Sequence, residues 1–208
     1  MGIFLENAEN PGFRLAIWNT EESVADLCRT LDYPFPALPD RVESRQKEWL
    51  AIRILLKRLL ELNTIPVLVY DEMGKPSLPG SPYAISISHT KNYVGILLSR
   101  SDACGLDLEI IHPRIKKIAG RFLSDEEQQH WNPDSPLPEL YIVWGAKEVL
   151  YKIYGKGGIV FKEHLHVEPF SIQVEGIVKA GIEIENYSKL HEVRYKQIGE
   201  LILTYAIE

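Results

Sequence analysis

The five residues Gly105-Leu106-Asp107-Leu108-Glu109 constrain this chain more than any other stretch. Apolar and acidic side chains alternate along them with the two-residue period of a β-strand. Leu106 and Leu108 can therefore enter a core while Asp107 and Glu109 project side by side from the opposite face. Two carboxylates held that close repel each other and favour a cation between them. Such oxygen ligands suit Mg2+, which commonly takes one or two carboxylates together with phosphate oxygens and water. An edge strand with a solvated acidic face satisfies the same pattern. The pair needs partners elsewhere before it signifies chemistry.

The surrounding chain reads as a long helix followed by strands, twice over. Phe13 to Trp18 predicts a first strand, and Thr20 to Leu31 a short helix. Pro34, Pro36 and Pro39 then break the chain, and Asp40 is placed to cap a long helix to about Leu62. Val67 to Tyr70, Ala84 to Ser88 and Tyr93 to Ser99 read as strands, the last two as a hairpin, with Asp102 in the turn before the central strand. Arg114 to Leu123 reads as a basic helix, and Ser124 opens a further helical segment. A second long helix runs from about Leu137 to Tyr154 and is ended by Gly155. Strands follow at Leu165–Val167, Ile177–Ile184, His191–Tyr195 and Leu201–Ile207. The expected fold is α+β, with two similar halves, residues 1–103 and 104–208, each a long helix packed on a small antiparallel sheet.

Composition excludes several roles. With 208 residues, 45% hydrophobic and 25% charged, the chain can build an ample core. Its net charge of −6 argues against nucleic-acid or anionic-membrane binding, and no zinc finger or RNA-binding aromatic signature occurs. No apolar run approaches the ~18 residues of a membrane span. Cys28 and Cys104 are far apart, no signal peptide is seen, and both are read as free thiols of a cytoplasmic protein.

Partners for the acidic strand lie on the second long helix. Trp144, Glu148 and Lys152 are each four positions apart and form one stripe at about 100° per residue. A surface Glu–Lys pair beside a core tryptophan uses the same spacing. Joined to the strand, Glu148 adds a third carboxylate to Asp107 and Glu109, and Lys152 stands one turn on, placed for a phosphate oxygen. Carboxylates, a divalent ion and a lysine are the parts of a phosphoryl-transfer or diphosphate-cleaving site.

Gly105-Leu106-Asp107-Leu108-Glu109 followed by Trp144-x-x-Lys147-Glu148-x-x-x-Lys152 resembles the paired signature of the 4′-phosphopantetheinyl transferases. Gly74-Lys75-Pro76 and Ser86-Ile87-Ser88-His89-Thr90 are similar to that family's upstream motif, and Phe122-Leu123-Ser124-x-x-Glu127 to the element between the two signatures. Order and spacing resemble the larger single-chain subfamily, whose members are pseudo-dimers of two α+β halves with the active site in the cleft between them. Val149 departs from the small residue common beside the glutamate, and Gly145 is an interior helix glycine.

The resemblance implies transfer of the phosphopantetheine arm of coenzyme A to a serine of an apo acyl or peptidyl carrier protein, releasing adenosine 3′,5′-bisphosphate. It implies Mg2+ held by Asp107, Glu109 and Glu148, with Lys152 on a phosphate oxygen or assisting the leaving group. Glu127 is expected to draw the serine proton, although Ser124-x-x-Glu127 is also a capping box. Arg45, Arg53, Lys75, Ser88 and His89 are expected to grip the rest of coenzyme A. Arg114, Lys116, Lys117 and Arg121 form a basic cluster expected to receive the acidic carrier. Two halves in one chain imply a monomer. A Mg2+-dependent nucleotide or diphosphate hydrolase would use the same carboxylates, and a non-catalytic coenzyme A-binding module the same cations.

Overall fold

The structure, a computed structural model, describes residues 2–7, 12–34, 38, 42–101, 103–132 and 134–208. Asp40, expected to cap the first long helix, lies outside the described residues, as do Pro36, Pro39 and Asp102.

Two antiparallel sheets each carry one long helix. The first sheet has the order β1-β2-β6-β5, from Ile3–Asn7, Phe13–Asn19, Tyr93–Ser99 and Ala84–Thr90. Helix α1 (Val24–Leu31) and the long α2 (Glu43–Leu59) belong to this side, and α2 packs on β2 and β6. A two-residue ribbon, β3 (Val69–Tyr70) with β4 (Pro76–Ser77), lies between α2 and β5 in sequence. The strand expected over Val67 to Tyr70 thus shrinks to its last two residues, both exposed.

The second sheet has the order β7-β11-β10-β9-β8. Its strands are Cys104–Ile110 (β7), Leu165–Val167 (β8), Glu175–Ile184 (β9), Tyr187–Ile198 (β10) and Leu201–Ile207 (β11). Between β7 and β8 come α3 (Ala119–Phe122), the long α4 (Leu137–Tyr154) and the one-turn α5 (Phe161–His164). Helix α4 packs on β7 and β11. Pro138 sits in its first turn, where a missing N–H does no harm. Gly155 ends it at a φ of 62°, donating its N–H to the Tyr151 carbonyl.

The basic segment after β7 is not one helix. Pro113–Lys117 forms a 3-10 turn, started by Arg114 N–H donating to His112 Nδ1, and α3 follows only after a break at Ile118. Ile115, Ala119 and Phe122 still reach the core, so the face is helical in spacing although the backbone is not continuous.

Three apolar clusters hold the layers together. One lies beneath α2, one beneath α4, and the third between the sheets, where Leu106 and Leu108 meet Leu15, Ile17, Leu97 and Leu203. The two leucines of the central strand are thus fully committed to the junction between sheets. Asp107 and Glu109 therefore emerge on the α4 side. Among the described residues, no helix is long and apolar enough to cross a membrane.

Candidate active site

Two glycines bring α4 down onto the central strand. A Cβ at Gly105 of β7 would lie 2.4 Å from the Val149 carbonyl oxygen, and one at Gly145 of α4 would lie 2.5 Å from Thr204 Oγ1 on β11. Thr204 is the cross-strand partner of Asp107. The interior helix glycine, unfavourable for the isolated helix, is what allows this approach. The close packing places Glu148 and Lys152 over Asp107.

Asp107 is 6% exposed. Its Oδ1 accepts from Lys152 Nζ at 2.9 Å and from Ser88 Oγ at 3.1 Å, while Lys152 also donates to the Leu106 carbonyl at 2.7 Å. Its Oδ2 is buried and has no hydrogen-bond partner among the described residues. Glu109 accepts from Trp144 Nε1 at 3.0 Å, and the Arg114 guanidinium lies 3.9 Å from its other oxygen. Burial and the Asp107 charge raise the Glu109 carboxyl above its usual range. Glu148 is pushed up to about 7 by burial and then by Asp107, with Lys152 opposing.

Among the described residues, no three acidic, imidazole or thiol side chains are gathered into a ready-made metal cage. The chemistry of the set still fits a hard cation. An orphaned buried carboxylate oxygen and two carboxyls raised by burial and then by the Asp107 charge are what a cation would relieve. The remaining ligands would have to come from substrate oxygens and water.

The upstream cations line a cleft beside this site. Its volume is about 470 Å³, and Arg45, Trp49, Arg53, Tyr70 and His89 form much of its wall. Arg53 lies flat over the Trp49 ring, 3.6 Å from its centroid, and donates to the Trp49 carbonyl. Arg45 pairs with Glu48 at 2.6 Å and touches His89 Nε2 at 3.3 Å. An adjoining cavity of about 190 Å³ shares Gly74, Pro76 and Ile87 with the cleft and is lined further in by Lys75, Cys104, Tyr151 and Lys152. Asp71 Oδ1 accepts from Met73 and Lys75 N–H and shapes the turn that carries Lys75, whose ammonium reaches the Ile153 carbonyl at 3.4 Å near the end of α4. Burial pushes the Cys104 thiol up to about 12, so it stays protonated and inert.

Two of the expected site residues are engaged within the fold. Glu127 does not face the cleft. It is 4% exposed, and both its oxygens are engaged: Oε1 by Val167 N–H, Oε2 by Ser124 N–H and by Lys147 Nζ at 2.5 Å. With Ser124 Oγ accepting from Glu127 N–H, the capping box is complete. Both Glu127 oxygens therefore already accept a hydrogen bond from within the fold. Ser88 is also committed. Its hydroxyl donates to Asp107 and accepts from Leu108 N–H at 3.1 Å, while Ser86 accepts from Leu106 N–H at 2.9 Å. Ser86 and Ser88 thus stitch β5 to β7, and Ser88 orients a carboxylate rather than offering itself to phosphate.

Lys147 had no role in the sequence reading. It is fully buried, donating to the Phe122 and Leu165 carbonyls as well as to Glu127. The signal was available: Lys147 lies outside the Trp144-Glu148-Lys152 stripe, on the face that must enter the core. Of the basic cluster, Arg114, Lys117 and Arg121 are exposed and Lys116 is half-buried.

The fold and site define a class first: an α+β protein with three carboxylates and a lysine where a helix meets a strand, beside a cleft lined by cations. The model of the 4′-phosphopantetheinyl transferase superfamily matches residues 103–206, half of the chain. The chain belongs to that superfamily. It is 33% identical over 117 residues to 4′-phosphopantetheinyl transferase AcpT of Salmonella typhimurium, which covers 53% of this chain and 60% of that protein. It is 31% identical over 132 residues to 4′-phosphopantetheinyl transferase Sfp of Bacillus subtilis, covering 59% and 56%. The chain thus spans less than two thirds of the length of these curated relatives.

Proposed function

We propose that this protein transfers the 4′-phosphopantetheine moiety of coenzyme A to a serine hydroxyl of an apo acyl or peptidyl carrier protein, releasing adenosine 3′,5′-bisphosphate. The observation that carries this reading is the meeting of Asp107, Glu109, Glu148 and Lys152 near a cleft lined by Arg45, Arg53 and His89 and an adjoining cavity lined by Lys75. The printed names of the relatives support the reaction class.

In this reading Asp107, Glu109 and Glu148 hold Mg2+, which when bound neutralises charge on the diphosphate. The serine oxygen bonds to the β-phosphorus as its proton passes to solvent water, the bridging P–O bond breaks, and the bisphosphate leaves with its electron pair. Lys152 meets the charge developing on the leaving oxygen. Arg45, Arg53, Lys75 and His89 bind the nucleotide end and fix its orientation. Ser88 keeps Asp107 aimed. Trp144 does the same for Glu109.

Arg114, Lys116, Lys117 and Arg121 lie along the chain just past Glu109, so a cationic surface adjoins the acidic site. We assign carrier docking to it, because carriers of this kind are acidic and opposite charge steers encounter. Reversing Lys116 and Lys117 to glutamate should raise the apparent KM for carrier at low salt. An unchanged KM would remove the surface from the reading. The division into halves at residues 103 and 104, a monomeric state and a cytoplasmic location belong to the same proposal.

One experiment tests the central claim. The protein is incubated with coenzyme A, Mg2+ and an apo carrier domain, and the carrier is weighed by mass spectrometry. The expected result is a gain of one phosphopantetheine on the carrier, abolished by EDTA. Hydrolysis of coenzyme A with the carrier unmodified would overturn it.

A further inference from the structure

A side-chain cation sits against the carboxylates. Lys152 Nζ holds Asp107 Oδ1 at 2.9 Å and the Leu106 carbonyl at 2.7 Å. Asp107 is almost wholly buried, so its charge cannot be met by water if the ammonium leaves. Lys152 bears on all three acidic groups: it pairs with Asp107, and its charge favours the ionised forms of both Glu109 and Glu148. Arg114 also lies near Glu109, but Lys152 is the cation that reaches Glu148.

The other side of Lys152 faces open space. It lines the cavity of about 190 Å³ that runs toward Lys75 and the cationic cleft. Its side chain is about a quarter exposed, against 8% for Asp107. The ammonium can therefore swing from Asp107 into the cavity, while the carboxylate stays where Ser88 and β7 hold it. Such a swing strands a buried carboxylate unless another cation replaces the ammonium, and it leaves the ammonium unpaired unless an anion receives it. A divalent ion and a diphosphate meet both needs together. Either one alone meets only half.

We propose that Lys152 is a resident counter-ion which competes with the divalent cation for Asp107, so that metal and diphosphate bind this protein with strong mutual coupling. This rests on the phosphopantetheinyl-transfer reading of the site. It goes beyond that reading in giving Lys152 a second task, as the ion-pair partner of Asp107. Because coupling is reciprocal, the metal must raise coenzyme A affinity by the factor by which coenzyme A raises metal affinity.

The test measures Mn2+ binding by electron paramagnetic resonance of the free ion, with and without saturating coenzyme A, in the full chain. Wild-type protein should bind Mn2+ weakly alone and about tenfold or more tightly with coenzyme A. Lys152→Met and Lys152→Gln should bind Mn2+ alone about tenfold more tightly than wild type, with a smaller gain from coenzyme A than wild type shows. Arg114→Met controls for general electrostatics and should tighten Mn2+ far less. Circular dichroism confirms that each variant is folded, and the wild-type coupling needs no variant at all.

Three outcomes overturn the inference: no coupling in wild type, unchanged or weaker Mn2+ binding in both Lys152 variants, or equal gains in the Lys152 and Arg114 variants. If wild-type protein binds no Mn2+ even with coenzyme A, the metal reading of the site falls as well. If it binds Mn2+ and modifies a carrier but fails the Lys152 comparison, only this inference falls.

Discussion

Gly105 of β7 lies directly beneath Val149 of α4, so close that a Cβ at 105 would fall 2.4 Å from the Val149 carbonyl oxygen. Backbone on backbone is the tightest approach a helix and a strand can make, and here it sets the height of Glu148 and Lys152 above Asp107. The bulk of Val149 is tolerated because the strand beneath it has no side chain at that point.

Gly105→Ala must lift α4 or bend β7, since the clashing atom is a backbone oxygen that no rotamer change can move. Overpacking of this kind costs about 1–3 kcal/mol. The expected result is a lower midpoint in denaturant and a larger fall in turnover than the stability loss explains. Val149→Ala should not rescue it, because the oxygen remains. Wild-type turnover in Gly105→Ala would show that the spacing is not critical.

Glu127 and Lys147 should behave as structural partners. Removing one member of a buried ion pair costs about 3–5 kcal/mol, because the other is left charged and unmatched. Burial already pushes the Lys147 pKa down, with Glu127 opposing that shift. Glu127→Gln should therefore melt well below wild type, yet keep turnover within about tenfold of wild type at temperatures where it is folded. Lys147→Met combined with Glu127→Gln should lose less stability than the two single changes summed, the mark of a coupled pair. A Glu127→Gln protein of normal stability and no activity would return Glu127 to the chemistry.

Glu148 gives stability a dependence on pH that runs opposite to the usual carboxylate. Its carboxyl is raised from 4.5 to about 7 on folding. Between those values the folded chain keeps a proton that the unfolded chain has released, so stability falls as pH rises through that window. Glu148→Gln cannot ionise. It should raise Tm over wild type at about pH 8, and the advantage should shrink on acidification and vanish by about pH 4. Mg2+ with coenzyme A should reverse the ranking at about pH 8, since wild type alone keeps all three carboxylates. Thermal melts across that range read this directly.

Much of this was legible in the chain because period and spacing carry it. The alternation at Gly105–Glu109 separates Leu106 and Leu108, which enter the core, from Asp107 and Glu109, which turn toward α4, and the four-residue steps from Trp144 to Lys152 bring Glu148 and Lys152 beside Asp107. The end of helix α4 at Gly155 is legible too, because the backbone chemistry of a glycine stop is local. What was not legible depended on partners distant in sequence. Glu127 reads alike as a base or a cap until Lys147 and Val167 are seen to occupy its oxygens. Ser88 reads as a phosphate donor until the Leu108 amide and Asp107 close around it. Gly145 looked like a weakness of the helix, and only Thr204 across the sheet explains it.

Trp144 couples an aromatic stack to a carboxylate. Its ring packs against Phe122 and Phe161 at centroid distances of 5.3 and 5.4 Å, while its N–H holds Glu109. Trp144→Phe keeps the stack and deletes the donor. Stability should change by less than about 1 kcal/mol, while the Mg2+ concentration for half-maximal turnover should rise about 3–10-fold, as expected for a lost bond to a charged acceptor. An unchanged Mg2+ dependence would mean that Glu109 needs no such support.

Ser86 and Ser88 allow positioning to be separated from stability within one strand. They lie two residues apart on the same face of β5, and each hydroxyl accepts from a buried amide of β7: Leu106 N–H for Ser86, Leu108 N–H for Ser88. Replacing either by alanine orphans one buried N–H and should cost about 1–3 kcal/mol, by the same mechanism in both cases. Only Ser88 also donates to Asp107. Ser86→Ala should therefore lower stability with turnover per folded molecule nearly intact. Ser88→Ala should lower stability by a similar amount and turnover by about tenfold more, with weaker Mg2+ dependence, because Asp107 loses one of the two donors that fix its Oδ1. Ser88→Thr keeps the hydroxyl and should recover most of that loss if the added methyl is accommodated. Equal losses of turnover in the two alanine variants would reduce Ser88 to a second stitch between the sheets, with no hold on the carboxylate.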